Sequence, residues 1–293
     1  MKAPKFSYTR ATSVEHALEL LDTHGDEGRI LAGGQSLMPT LNMRLSQPDM
    51  LIDINGLDEL KGISLDGDTV CIGALTRHVE VMNSDIVTEH LPLIAEAMPH
   101  VAHVAIRNRG TIGGSVALAD PAAEMPACIL ALGATLVVQG SAGKREIPVE
   151  EFFHGLFETA RADNELLVEI RIPSQKADKV SVFLELARRH GDFAIAGIAA
   201  YGSVSGDTVT DMRLVYFASE DRPTIGANAS AALNGKIWSD ETKEAVNTAL
   251  ESDLEPMANL HGSAAMKMHL QKVLTGRAMD AAVARASGVG GAA

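Results

Sequence analysis

The chain has 293 residues, 46% of them hydrophobic, and a formal net charge of −13. That is enough apolar material for a large core shared by more than one domain, and the negative charge argues against nonspecific binding to nucleic acid or to an anionic membrane surface. No apolar run approaches the length that spans a bilayer, and Met1-Lys2-Ala3-Pro4-Lys5-Phe6-Ser7 has no apolar stretch of a signal peptide, so a cytoplasmic location is the expectation.

In chain order, Phe6-Ser7-Tyr8-Thr9 reads as a short strand. Ser13 caps a helix whose apolar face is Val14, Ala17, Leu18, Leu20 and Leu21, and Gly25 ends it. Residues 28–32 read as a buried strand and residues 50–54 as another. Between them Ala32-Gly33-Gly34-Gln35-Ser36 leads into a helix with apolar positions 37, 38, 41 and 45, with Ser36 as its N-cap and Pro39 in its first turn. Two glycines at a strand-to-helix turn leave backbone N–H groups open to an anion. By itself the turn is either such a cradle or only a tight connection, since it matches neither G-x-G-x-x-G nor the P-loop pattern.

Asp66-Gly67-Asp68 joins two strand-like runs over 62–73 into a hairpin, and Thr76 is expected to cap a helix that follows. A further helix is expected over 91–98. Residues 105–126 hold Gly110, Gly113 and Gly114 with no helical period before Pro121, and read as a long loop, either plain surface or one that lets a ligand lie on the main chain. A helix over 125–132, a hairpin over 135–147 and a strand over 166–173 come next. After the polar stretch 174–179 come three strands (181–187, 194–204, 209–218) and three helices (225–233, 241–250, 263–285), an α+β tail.

The cysteines Cys71 and Cys128 both sit in apolar runs and are expected to be buried and inert. Two thiols cannot hold a four-cysteine iron–sulfur cluster, and no Cys/His metal spacing appears. His100 and His103 lie close together without a third ligand near them in sequence.

Together, Ala32-Gly33-Gly34-Gln35-Ser36 and, about eighty residues on, Ile106-Arg107-Asn108-Arg109-Gly110-Thr111-Ile112-Gly113-Gly114-Ser115 resemble the two FAD-binding motifs of the medium subunit of molybdenum hydroxylases. That family includes subunits of carbon monoxide dehydrogenase, quinoline oxidoreductase and nicotine dehydrogenase, and xanthine dehydrogenase carries a related domain. The likeness extends to Arg188-Arg189-His190-Gly191-Asp192-Phe193-Ala194, to Leu254-Glu255-Pro256 and to His261-Gly262-Ser263, so it covers nearly the whole chain.

The resemblance implies an α+β, two-subdomain FAD-binding fold of the vanillyl-alcohol-oxidase type (1–57 and 58–176). A C-terminal domain of a three-stranded sheet plus helices (177–287) and a disordered tail (288–293) would follow. It implies noncovalent FAD held by Ala32, Gly33, Gly34, Gln35, Ser36 and Leu37, with Thr111, Gly113, Gly114 and Ser115 on the other side. Asp120 and Glu124 would accept hydrogen bonds from cofactor hydroxyls, Ala102 and Ile106 would line the cleft, and Leu167, Arg188 and Phe193 would lie toward the flavin ring. Glu185 stands where several relatives have Lys; a carboxylate there disfavours a reduced anionic flavin, and Arg188 or Arg189 is the expected replacement cation.

The implied role is an electron-transfer subunit with no catalytic residue and no metal of its own. Its partners would be an iron–sulfur small subunit with [2Fe–2S] clusters and a molybdenum–pterin large subunit, in a dimer of heterotrimers. A stand-alone flavin oxidase, or a structural subunit without flavin, are the other readings.

Overall fold

A computed structural model describes residues 2–288; the last five residues of the expected tail lie outside the described residues. Ser7–Arg10 (β1), Gly28–Leu31 (β2) and Met50–Asp53 (β3) form a parallel sheet in the order β1-β3-β2. Its crossovers carry the helices Val14–His24 (α1) and Leu37–Asn42 (α2). Ser13 Oγ accepts from the His16 amide at 3.1 Å and so caps α1, which buries Val14, Ala17, Leu18 and Leu21. α2 is shorter than its pattern suggests. Only Leu41 is buried, Leu45 is 74% exposed, and Ser36 has helical backbone with no capping bond.

A second sheet is wholly antiparallel. It comprises Ile63–Asp66 (β4), Thr69–Gly73 (β5), Thr135–Gly140 (β6), Gly143–Pro148 (β7) and Leu166–Pro173 (β10), in the order β4-β5-β10-β6-β7. Phe153–Gly155 (β8) and Glu158–Thr159 (β9) form a small separate hairpin. As the central strand, β10 is covered on both faces, which is why Leu166-Leu167-Val168 is continuously apolar. Leu166 and Val168 join the α1 core, whereas Leu167, Ile170 and Ile172 join the main core on the other side. The small parallel unit is therefore seated on the back of the second sheet.

The chain between β5 and β6 is helical: His78–Met82 (α3), Asp85–His90 (α4), Pro92–Ala97 (α5), Val104–Arg107 (α6), Ile112–Leu118 (α7) and Glu124–Leu132 (α8). Two expectations are corrected here. Thr76 does not cap α3; its hydroxyl is tied to the Gly62 amide and carbonyl, both at 3.0 Å, and Glu80 Oε2 accepts from the Arg77 amide at 2.6 Å instead. The stretch 105–126 is not a loop. It contains α6 and α7, and α7 forms despite two glycines because Thr111 caps it and Gly113 lets it lie directly on Ala74.

Val180–Ala187 (β11), Ala194–Ser205 (β12) and Thr208–Phe217 (β13) are the three expected long strands. The sheet is larger than three, because Thr224–Ile225 (β14) and Lys236–Ile237 (β15) both pair with β13. The two short strands were hidden because two residues carry no alternating pattern. Ala227–Leu233 (α9), Asp240–Leu250 (α10) and Ala264–Ala286 (α11) cover one face, packing on Val182, Ile198, Leu214 and Tyr216. The opposite face, with Phe183, Ala199, Val215 and Phe217, closes on α8. All nine residues of α8 are buried, so it is the shared centre between the second and third sheets. No helix among the described residues is long and apolar enough to cross a membrane. Cys128 is buried on α8 as expected, but Cys71, on β5, is only half-buried.

Phe217 is 1% exposed, stacks on Phe183 with ring centroids 5.6 Å apart, and lies where a side chain at Gly197 would be. Phe217→Ala is expected to lower the unfolding free energy by about 3–5 kcal/mol. Urea denaturation followed by far-UV circular dichroism checks this, and a loss near zero would mean that this sheet is not docked through Phe217.

Candidate functional site

The first glycine turn leaves β2 at Leu31. Gly34 has φ 71°, a conformation that favours glycine, and its carbonyl accepts from the Met38 amide at 3.1 Å to start α2. The amides of Gly33, Gly34, Gln35, Ser36 and Leu37 donate to no acceptor among the described residues. Ser36 is exposed and its hydroxyl is free of any capping duty. The turn is braced from behind. Asn55 Nδ2 donates to Ala32 O at 2.7 Å, and Gln35 Nε2 donates to Gly33 O at 3.0 Å. Gln35 thus presents its amide to the opening while its side chain folds back.

The second glycine segment is stitched to the chain after β5. The Ile112 amide donates to Thr76 O and the Gly113 amide to Ala74 O, both at 3.0 Å, and the His78 amide donates to Gly110 O. Thr111 Oγ1 accepts from the Gly114 amide at 3.1 Å; Gly114 is exposed and Ser115 half-buried.

The two segments meet. A Cβ on Gly33 would lie 2.4 Å from Arg109 O and 2.7 Å from Gly110 Cα. Main chain therefore touches main chain across the junction of the two sheets. Unsatisfied amides flank the contact on the first side, with the exposed Gly114 and Ser115 on the second. Bare N–H groups of this kind fit the oxygens of a diphosphate, so the residues present suit the cofactor that the resemblance implies.

The remaining expected residues fall in two places. Asp120, Glu124 and Glu185 form a carboxyl group cluster at the start of α8. Burial, with the Asp120 charge adding to it, pushes Glu124 up to about 7. Burial and then the Glu124 charge push Glu185 up to about 8. Glu185 Oε2 is buried with no hydrogen-bond partner among the described residues. The Arg188 guanidinium pairs with Asp192 at 3.4 Å, and Glu185 forms no ion pair among the described residues. The Arg188 segment packs against residues 102–103, because a Cβ on Gly191 would lie 2.7 Å from Ala102 O and from the His103 ring. Ala102 takes φ 44° and is held by Arg107 Nη1, which donates to Val101 O and Ala102 O at 2.8 Å each. Ile106 is half-buried, Phe193 is 63% exposed, and Leu167 is buried in the core on β10. His100 stacks on His190 beside this segment.

Sequence reasoning passed over Asn55 and Arg77. Arg77 Nη2 donates to Asn55 Oδ1 at 2.6 Å and Arg77 Nη1 donates to Arg109 O, so the pair joins both glycine segments. The available signal was a polar Asn directly after an apolar strand; nothing in the sequence marks Arg77.

A family model described as the FAD binding domain in molybdopterin dehydrogenase matches residues 4–175, and one described as the CO dehydrogenase flavoprotein C-terminal domain matches 181–282. The 6-hydroxypseudooxynicotine dehydrogenase complex subunit alpha of Paenarthrobacter nicotinovorans is 38% identical over 98% of this chain and 97% of its own. The carbon monoxide dehydrogenase medium chain of Hydrogenophaga pseudoflava is 38% identical over 97% of this chain and 99% of its own. Among solved structures, a chain of carbon monoxide dehydrogenase from Hydrogenophaga pseudoflava superposes with TM-score 0.94 at 39% identity, covering 97% of this chain and 99% of that one. A chain of quinoline 2-oxidoreductase from Pseudomonas putida 86 superposes at 0.92 and 35% identity, covering 98% and 99%.

The buried carboxyls set a pH dependence. A carboxyl whose folded value lies above its unfolded value of 4.5 gives full stability below that value, and the stability is lost as pH rises through about 7 to 8. The thermal midpoint of the flavin-free chain is expected to fall between about pH 5 and about pH 8, and Glu185→Gln to flatten that fall. Midpoints measured by differential scanning fluorimetry across this range decide it; an unchanged slope in the variant refutes the assignment.

Proposed function

Because this chain belongs to the family of FAD-binding medium subunits of molybdenum hydroxylase-type dehydrogenases, we propose that it is the electron-transfer flavoprotein of such a complex in the cytoplasm. In this reading an iron–sulfur small subunit with [2Fe–2S] clusters delivers electrons and a molybdenum–pterin large subunit oxidises the substrate, the whole being a dimer of heterotrimers. The names of the relatives, complex subunit alpha and medium chain, support a multi-subunit assembly. The count of two cysteines supports clusters on another chain. The fold would be of the vanillyl-alcohol-oxidase type, divided at 1–57, 58–176 and 177–287; the three larger sheets, one within each range, support this division.

The observation that carries the reading is the main-chain contact between the two glycine segments, with free amides beside it. Gly33, Gly34, Gln35, Ser36 and Leu37 offer N–H groups to the cofactor diphosphate, and Ser36 Oγ adds a donor. Thr111, Gly113, Gly114 and Ser115 close the other side. Asp120 and Glu124 receive cofactor hydroxyls as hydrogen-bond acceptors. Ala102 and Ile106 wall the cleft, and Leu167, Arg188 and Phe193 stand toward the ring. When bound, FAD supplies a carrier that accepts single electrons from one donor and releases them to another acceptor. This role needs no general base or nucleophile from the chain.

The chain purified with its neighbours is expected to show oxidised-flavin absorbance released as free FAD by acid. Colourless protein that takes up no added FAD would overturn the reading. Gly33→Ala is expected to weaken FAD binding by about tenfold or more, a change of about 1.4 kcal/mol, because the new methyl pushes the Arg109 carbonyl away. Titration of flavin fluorescence measures it, and wild-type affinity in the variant would remove the first motif from the site.

A further inference from the structure

The carbonyl oxygens around the glycine contact are as informative as the amides. A trans peptide is planar, so its C=O and N–H point in opposite directions. Whatever holds the carbonyl of one residue aims the amide of the next. Ala32 O is held by Asn55 Nδ2 at 2.7 Å, which turns the Gly33 N–H to the opposite side. Asn55 is itself fixed, because its amide and Nδ2 donate to Asp53 Oδ1 at 2.9 and 2.6 Å, and Asp53 Oδ2 accepts from the Tyr8 hydroxyl at 2.5 Å. Its remaining polar atom, Oδ1, accepts from Arg77 Nη2 at 2.6 Å. The other arm of that guanidinium, Nη1, donates to Arg109 O. Arg109 O is also the atom that Gly33 lies against.

One guanidinium thus spans the junction. It grips the side chain that orients the first glycine turn and the carbonyl on which the second segment meets that turn. We propose that Arg77 and Asn55 are positioning residues of the diphosphate site. They aim the amides of the first turn and hold the two glycine segments in register, so that two half-sites on different sheets act as one. The inference rests on the FAD reading above. A planar fork with separate donors is needed for this span; a lysine ammonium is a point donor on a flexible stem and cannot hold both acceptors in the same geometry. Asp at position 55 would still accept from Arg77 but would lose the donor to Ala32 O.

The test uses the full chain, freed of flavin, with FAD affinity read by flavin fluorescence and folding read by the thermal midpoint. Arg77→Ala and Asn55→Asp are each expected to weaken FAD binding by about tenfold or more. Methylguanidinium at millimolar concentration is expected to restore binding in Arg77→Ala and not in Asn55→Asp, a rescue that a purely structural defect would not show. Should Arg77→Ala fail to fold, Arg77→Lys carries the test with the same expected loss. Val246→Ala, in the separate core beneath α10, is the control: it is expected to lower the midpoint and leave FAD affinity unchanged. Variants that bind FAD within about twofold of wild type, a control that loses as much affinity as they do, or absence of rescue would each overturn the proposal. Wild-type chain that takes up no FAD would instead overturn the cofactor reading on which it rests.

Discussion

Everything at the site depends on the close approach of Gly33 to the carbonyl of Arg109. Any side chain at position 33 would lie within 2.4 Å of that oxygen, so the contact exists only because the residue is glycine. The contact sets the two glycine segments side by side, next to a row of amides that have no acceptor among the described residues. Buried or half-buried backbone donors are normally paired. A run without partners among the described residues, from Gly33 to Leu37, is tolerable where a ligand or water meets them.

The rest of the fold serves to hold that contact. β10 is buried on both faces, with the α1 core on one side and the main core on the other. The main core is continuous through α8 into the third sheet. A shift of α8 would therefore be felt at the first sheet through β10 and at the third through Phe217. Arg77 and Asn55 add a polar link between the two glycine segments. Such a link is directional, whereas hydrophobic contact alone permits sliding.

The carboxyl cluster at the start of α8 carries an electrostatic cost. Glu124 opens α8 with its side chain buried, and Glu185 faces it with no ion pair among the described residues. Both groups favour the protonated form in the folded chain because burial penalises their charge.

Much was legible in the sequence. The strands and helices outside the site follow from hydrophobic period and from caps such as Ser13 and Gly25, which act locally and need no partner. The two glycine motifs were legible as motifs. Failures occurred where tertiary contact overrode local signal. Residues 105–126 look like a loop, yet α7 exists because Gly113 rests on Ala74 and Thr111 is held beside residue 76. Ser36 and Thr76 look like caps, but one is left free and the other is engaged by Gly62. By itself the sequence determined most of the longer strands and helices, their order and the chemistry at the two turns, since these depend on neighbours within a few residues. Only the tertiary structure decided that the turns face each other, that Arg77 and Asn55 join them, and that Glu185 is brought beside Glu124 with its Oε2 buried. These depend on distances between segments far apart in the chain, and no periodicity encodes those.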